Sequence, residues 1–188
     1  MCIRDSFRRG GGNGLELVVR EGDAAGMPIG ANLSGFNSFS LSLNDAGEIA
    51  FIGFLTGPGI NFDSNIGIFS ESGGNGLKLI ARTGDNAPGT QNGVYFNTFT
   101  TPVLNGAGQI AFRGSLAGVG VDDSDGGINN NTGIFSEGGG NGLQLIARAG
   151  DNAPGTPIGV NFTGFSNDVL NDAGETAFSA RAAETDFN

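Results

Sequence analysis

"LNDAGEIAF" (Leu43–Phe51), "LNGAGQIAF" (Leu104–Phe112) and "LNDAGETAF" (Leu170–Phe178) are one phrase written three times in a single chain. Each copy sets Asn-x-x-Gly between the end of one apolar run and the start of another, where a hairpin turn belongs. Asn44, Asn105 and Asn171 can bond a side-chain oxygen to the backbone N–H two residues on, and Gly47, Gly108 and Gly174 can take the positive φ that completes a type I turn with a G1 bulge. The pair between them reads Asp-Ala, Gly-Ala and Asp-Ala. A reactive Asp would not be exchanged for Gly106, so the phrase encodes a bend rather than an active site. The closing "AF" then reads as packing: Phe51, Phe112 and Phe178 fill a core layer, and Ala50, Ala111 and Ala177 leave room for an adjacent sheet.

Outward from the phrase, further anchors recur in a fixed order. "NGL" begins at Asn13, Asn75 and Asn141, at spacings of 62 and 66 residues, and Arg20, Arg82 and Arg148 follow at the same spacings. "GD" falls at Gly22-Asp23, Gly84-Asp85 and Gly150-Asp151, "GIFSE" at Gly67 and Gly133, and "APGT" at Ala87 and Ala153. Most of the length difference lies between "AF" and "GIF", which marks that connection as a surface loop.

Between these punctuators the chain alternates with period two. In "LKLIAR" the alternation puts Leu77, Leu79 and Ala81 on one face, and in "QIAFRGSL" it puts Ile110, Phe112 and Leu116 opposite Ala111, Arg113 and Ser115. Both faces carry apolar residues, as in a sheet sandwiched between neighbours. Each unit reads as four short strands joined as an antiparallel meander, followed by a Pro/Gly-rich crossover. The fold class is all-β, and the arrangement is that of β-propeller-like blades. Pro102 suits an edge strand, where a missing N–H does no harm. In this phasing residues 7–188 form one repeat domain: a half blade at 7–20, blades at 36–82 and 96–148, and a half blade at 162–183. Such an incomplete arc leaves open sheet edges and invites self-association.

Composition bounds the chemistry. The chain has 188 residues, 36 Gly, 15 Phe, no Trp, no His, one Cys and a formal charge of -10. Nucleic acid and anionic membranes need clustered positive charge, and no run of Lys or Arg supplies it. Cys2 alone excludes an internal disulfide, and the missing imidazoles speak against zinc or copper. No apolar run approaches the length of a membrane span. "MCIRDS" (Met1–Ser6) matches nothing in the other copies, whereas "FRRGGGNGLELVV" from Phe7 matches "FSEGGGNGLQLIA" from Phe135. The first six residues therefore read as translated adapter or cloning sequence and are set aside.

With Asn44, Gly47, Ala50 and Phe51 and their counterparts in place, the chain from Phe7 onward resembles the bacterial "choice-of-anchor" tandem-repeat proteins named for the NxxGxxAF repeat. The resemblance implies an architecture of repeats and secretion or surface display, with no assigned catalytic residues. The chain departs from that pattern by lacking both an N-terminal signal and a C-terminal anchor, so it is expected to be an internal piece.

Two further groups of residues stand out. Arg20/Asp23, Arg82/Asp85 and Arg148/Asp151 recur in register with the fold and read as structural ion pairs at strand ends rather than a ring of ligand-binding carboxylates. Asp122, Asp123 and Asp125 in "VDDSDGGINNN" offer hard oxygen ligands on a bendable loop. They resemble part of an EF-hand loop, but lack its third acidic position and its closing Glu; the expectation is a solvated loop, with Ca²⁺ as the alternative. No other cofactor is implied. Catalysis has little support without His, and no pair of acids stands apart from the repeats. The sequence is thus expected to encode a non-enzymatic secreted or cell-surface module that binds a protein or glycan through its variable loops. A piece of a carboxylate-dependent propeller hydrolase or lyase, and a purely structural spacer, are the alternatives.

Overall fold

A computed structural model of the chain describes residues 5–9, 14–25, 30–72, 76–122 and 129–184. These residues are all-β, with one turn of 3-10 helix at Phe62–Ser64 and no α-helix. β1 (Asp5–Arg9) and β2 (Leu15–Arg20) form a two-stranded sheet. β3 (Asn32–Leu43), β4 (Ile49–Thr56), β5 (Ile66–Ser70) and β6 (Lys78–Arg82) form a second, paired antiparallel in chain order. In the third sheet, β7 (Val94–Phe99) and β8 (Val103–Leu104) both pair with β9 (Ile110–Gly118), which continues to β10 (Thr132–Ser136) and β11 (Gln144–Arg148). β12 (Val160–Leu170) and β13 (Thr176–Glu184) make the fourth. β1 starts at Asp5, so two of the residues set aside as adapter sequence pair with Arg20 and Val19. Strand pairing uses backbone groups, which any sequence supplies.

β7 and β8 are one edge strand broken around Pro102, which is fully buried and withholds no hydrogen bond from a neighbour on that edge. The first strands of the second and fourth sheets show register shifts in the same region, between Phe36 and Leu41 and between Ser166 and Val169. Side-chain hydroxyls fill the gap in the ladder. Ser40 Oγ accepts from Ile52 N at 3.0 Å, and Thr100 Oγ1 accepts from Arg113 N at 3.1 Å.

The sheets stack through three apolar layers. Val19 of β2 meets Ile49, Phe51, Leu55 and Phe69. The opposite face of the second sheet, with Ala50, Ile52 and Ile68, meets Phe96, Ile110, Phe112 and Phe135. Ile134 and Ala147 then meet Phe165, with Phe162 and Phe178 partly buried beside them. Ala50 and Ala111 are wholly buried, and Phe51 and Phe112 stack on Phe69 and Phe135 of the neighbouring strand at centroid distances of 5.6 and 5.7 Å. Glycines make room for those rings: a Cβ on Gly67 would lie 2.7 Å from Leu79 Cδ1 and 2.9 Å from Phe69 Cε2.

One expectation from the alternation is corrected. Leu77 and Leu79 pack in the layer below the second sheet, but Ala81 packs in the layer above it. The register steps from Ile68↔Ala81 to Phe69↔Leu79, so Ile80 is an extra residue that reverses the facing of the strand. Val18 and Ile146 are skipped in the same way in β2 and β11.

Candidate functional site

The three asparagine corners adopt one geometry. Gly47, Gly108 and Gly174 have φ of 82°, 77° and 81°, and their N–H groups donate to the carbonyls of Asn44, Asn105 and Asn171 at 3.0, 3.1 and 3.0 Å. The Asn side-chain oxygens accept from the N–H four residues on, at Glu48 (2.9 Å), Gln109 (2.8 Å) and Glu175 (2.8 Å). The bond to the N–H two residues on is made by Asn105, to Ala107 at 3.1 Å.

The amide nitrogens do what the sequence does not announce. Asn44 Nδ2 donates to the carbonyl of Asn105 at 2.9 Å, and Asn105 Nδ2 donates to the carbonyl of Asn171 at 2.7 Å. Each corner is thereby tied to the next across a sheet interface, and Asn44 and Asn105 are buried as a result. Gly106 N also donates to Asp172 Oδ1 at 2.6 Å, while a Cβ at Gly106 would sit 2.9 Å from that oxygen. The exchange of Asp for Gly at this position makes space for the neighbouring corner's carboxylate.

The Arg-x-x-Asp stretches share backbone roles. Asp23, Asp85 and Asp151 each donate N–H to the carbonyl of their Arg, closing a turn, and each accepts from the next sheet's first strand at Leu33, Phe96 or Phe162. Their side chains behave differently. Arg82 pairs with Asp85 at 2.6 Å; the Asp23 carboxylate accepts from Arg20's backbone N–H at 2.8 Å; Arg148 instead sends Nε to the Asn130 carbonyl at 2.9 Å, leaving Nη2 buried without a protein partner. Arg148 therefore anchors the base of the long connection between β9 and β10. Asn130 holds the same base, accepting from Asp122 N at 2.7 Å and donating to Gly120 O at 2.9 Å. Asp123 and Asp125 lie outside the described residues, and among the described residues no three acidic, His or Cys side chains gather as for a metal.

The departure from regularity lies between the third and fourth sheets. Phe54 and Ile66 are paired across β4 and β5 on the face that also carries Ile52, and Ile52 and Ile66 pack into the apolar layer there. The matching pair on β9 and β10 is Ser115 and Thr132, beside Arg113. Three apolar residues are replaced by three polar ones, and a cavity of about 360 Å³ opens among Thr98, Phe99, Arg113, Ser115, Thr132 and Phe165. The Ser115 hydroxyl is buried with no protein partner. Arg113 Nη1 donates to the Phe165 carbonyl, which fixes the guanidinium across the interface. Nearby, Asp168 keeps a buried Oδ2 without a partner. Burial pushes its carboxyl above the ordinary value, against the opposing pull of its own backbone N–H and of Arg113.

Reading one copy at a time gives Arg113 only as a residue of the strand face opposite Phe112, and Asp168 as part of an unremarked strand. Laying the copies side by side finds both: Arg113 stands where the other copies have Ile52 and Ser179, and Asp168 where they have Leu41 and Pro102.

The model of a family described as "Family of unknown function (DUF7453)" matches residues 6–128 and 124–188. Neither a search of curated proteins nor a search of solved structures returned a match.

Proposed function

The chain belongs to the family of unknown function DUF7453, and from that premise we propose that it is a non-enzymatic, secreted or surface-displayed β-repeat module that binds a glycan or protein. The four sheets are successive blades of a propeller-like arc, and the connections between β4 and β5 and between β9 and β10 are its variable surface. The relay from Asn44 to Asn105 to Asn171 supports the arc, because it joins the corners of the second, third and fourth sheets by one bond type at both of their interfaces. Secretion or display is what the resemblance to choice-of-anchor proteins implies.

The observation that carries the binding reading is the cavity at the foot of the longer connection, where polar residues replace the apolar residues that close the preceding interface. A spacer has no use for an unpartnered buried hydroxyl, which costs stability. A hydrolase would need two carboxyl groups facing one cleft, and the cavity lining contains none.

Glycan and protein arrays probed with the chain, and with a variant whose residues 119–131 are exchanged for residues 57–65, test the reading. Retained signal on a defined ligand set, lost or redirected in the exchange variant, is the expected result. A blank array would overturn it in favour of a spacer, and release of reducing ends from a polysaccharide panel would overturn it in favour of an enzyme.

A further inference from the structure

We propose that the cavity between the third and fourth sheets is a saccharide subsite that takes a sugar unit bearing a carboxylate, with Arg113 receiving the acid; this rests on the binding-module reading above. The cavity of about 360 Å³ is at the small end of ligand pockets, with room for one pyranose ring. Its walls supply what such a ring needs. Phe99 and Phe165 supply aromatic surface for the apolar C–H groups to pack on, while Thr98, Ser115 and Thr132 bring hydroxyls to a ligand that carries hydroxyls of its own. Thr132 Oγ1 already donates to Asn131 Oδ1 at 2.9 Å, which leaves its lone pairs to accept.

Arg113 decides the charge. Its Nη1 is held by the Phe165 carbonyl, and among the described residues no acceptor takes Nε or Nη2. A guanidinium anchored at one nitrogen presents its remaining fork to a planar carboxylate without further loss of freedom. Asp168 stands close enough for Arg113 to act on its carboxyl. The site therefore tolerates one added negative charge better than two, which favours a uronate over a phosphate dianion. An apolar ligand would leave Ser115 Oγ and the guanidinium stranded.

Titration calorimetry with sodium glucuronate, glucose and inorganic phosphate tests this on the full chain. Glucuronate is expected to bind, glucose more weakly by about tenfold or more, and phosphate not measurably. The triple variant Arg113→Ile, Ser115→Phe, Thr132→Ile carries the residues that close the preceding interface, so it is expected to fold and to lose glucuronate binding. Lys78→Ala, far from the cavity, is expected to bind as the parent does, and Asp168→Asn to bind more tightly. Should the triple variant misfold, Arg113→Lys serves in its place, with the expected loss of the preference for glucuronate over glucose. Undiminished binding in a folded triple variant, or in Arg113→Lys, would overturn the site while leaving the module reading intact. So would an absence of glucuronate binding in a chain that gives array signals elsewhere. A chain silent in both assays would overturn both.

Discussion

Asn105 shows how much one side chain can carry. Its oxygen accepts two backbone N–H groups, and its nitrogen serves both the Gln109 side chain (2.8 Å) and the next corner's carbonyl. Replacement by Ala strands those groups in a buried place, and we expect a loss of about 2–3 kcal/mol in chemical denaturation. Asn171 makes the corresponding bonds to the residue four positions on, but it is exposed and its amide reaches only Glu175 among the described residues. Asn171→Ala should cost about 1 kcal/mol or less. Equal losses at the two sites would deny the relay any role in stability. Asp168 and Glu137 make a second residue-scale prediction. Burial raises both carboxyls, against Ile110's N–H and Lys78 in the case of Glu137. With the folded value above the unfolded one, the native state holds more protons over the interval between them. Stability from these groups is therefore full below the ordinary carboxylate range and falls as pH rises through the raised values. Melting curves across that interval should show the fall in the parent, and less of it in Asp168→Asn or Glu137→Gln.

At the scale of elements, strand identity was legible because alternation and turn chemistry agree. "QIAFRGSL" places Ile110, Phe112 and Leu116 in one core layer, as period two requires. Facing in "LKLIAR" was not legible, because a bulge is one uncounted residue and leaves no mark in composition. The reason for the glycines inside strands was equally silent, because nothing local shows which side chain stands beside them. Gly67 and Gly133 lie opposite phenyl rings, and a Cβ on Gly133 would fall 2.9 Å from Leu145 Cδ1 and 3.0 Å from Phe135 Cε2. Gly67→Ala and Gly133→Ala should each cost about 1–3 kcal/mol through overpacking. Gly139→Ala, where the nearest atom is 3.7 Å away, should shift the melting temperature little. Comparable shifts at all three positions would mean that the rings yield more easily than their packing implies.

For the whole molecule, the two-stranded sheets at either end matter most. β13 is paired on one side only among the described residues and is exposed over most of its length. Phe178 occupies the place of Phe51 and Phe112, which stack on Phe69 and Phe135, whereas the sequence counterpart of those partners, Phe7, is 52% exposed. Light scattering during size exclusion should therefore show a mass that rises with concentration, and Ala180→Lys with Ala182→Lys on the open edge should return it to the monomer. A monomer at every concentration would show that the edge is protected. Taken alone, the sequence determined the all-β class, the hairpin corners and the two-faced sheets, because each follows from local rules: turn residues, period two and apolar content on both sides. Tertiary structure alone decided which corner binds which, where Arg148 points, and that Arg113, Ser115, Thr132 and Phe165 surround one space. The hydrogen bonds among them join residues 18 to 66 positions apart, and no local rule reports the order in which stacked sheets bring distant residues together.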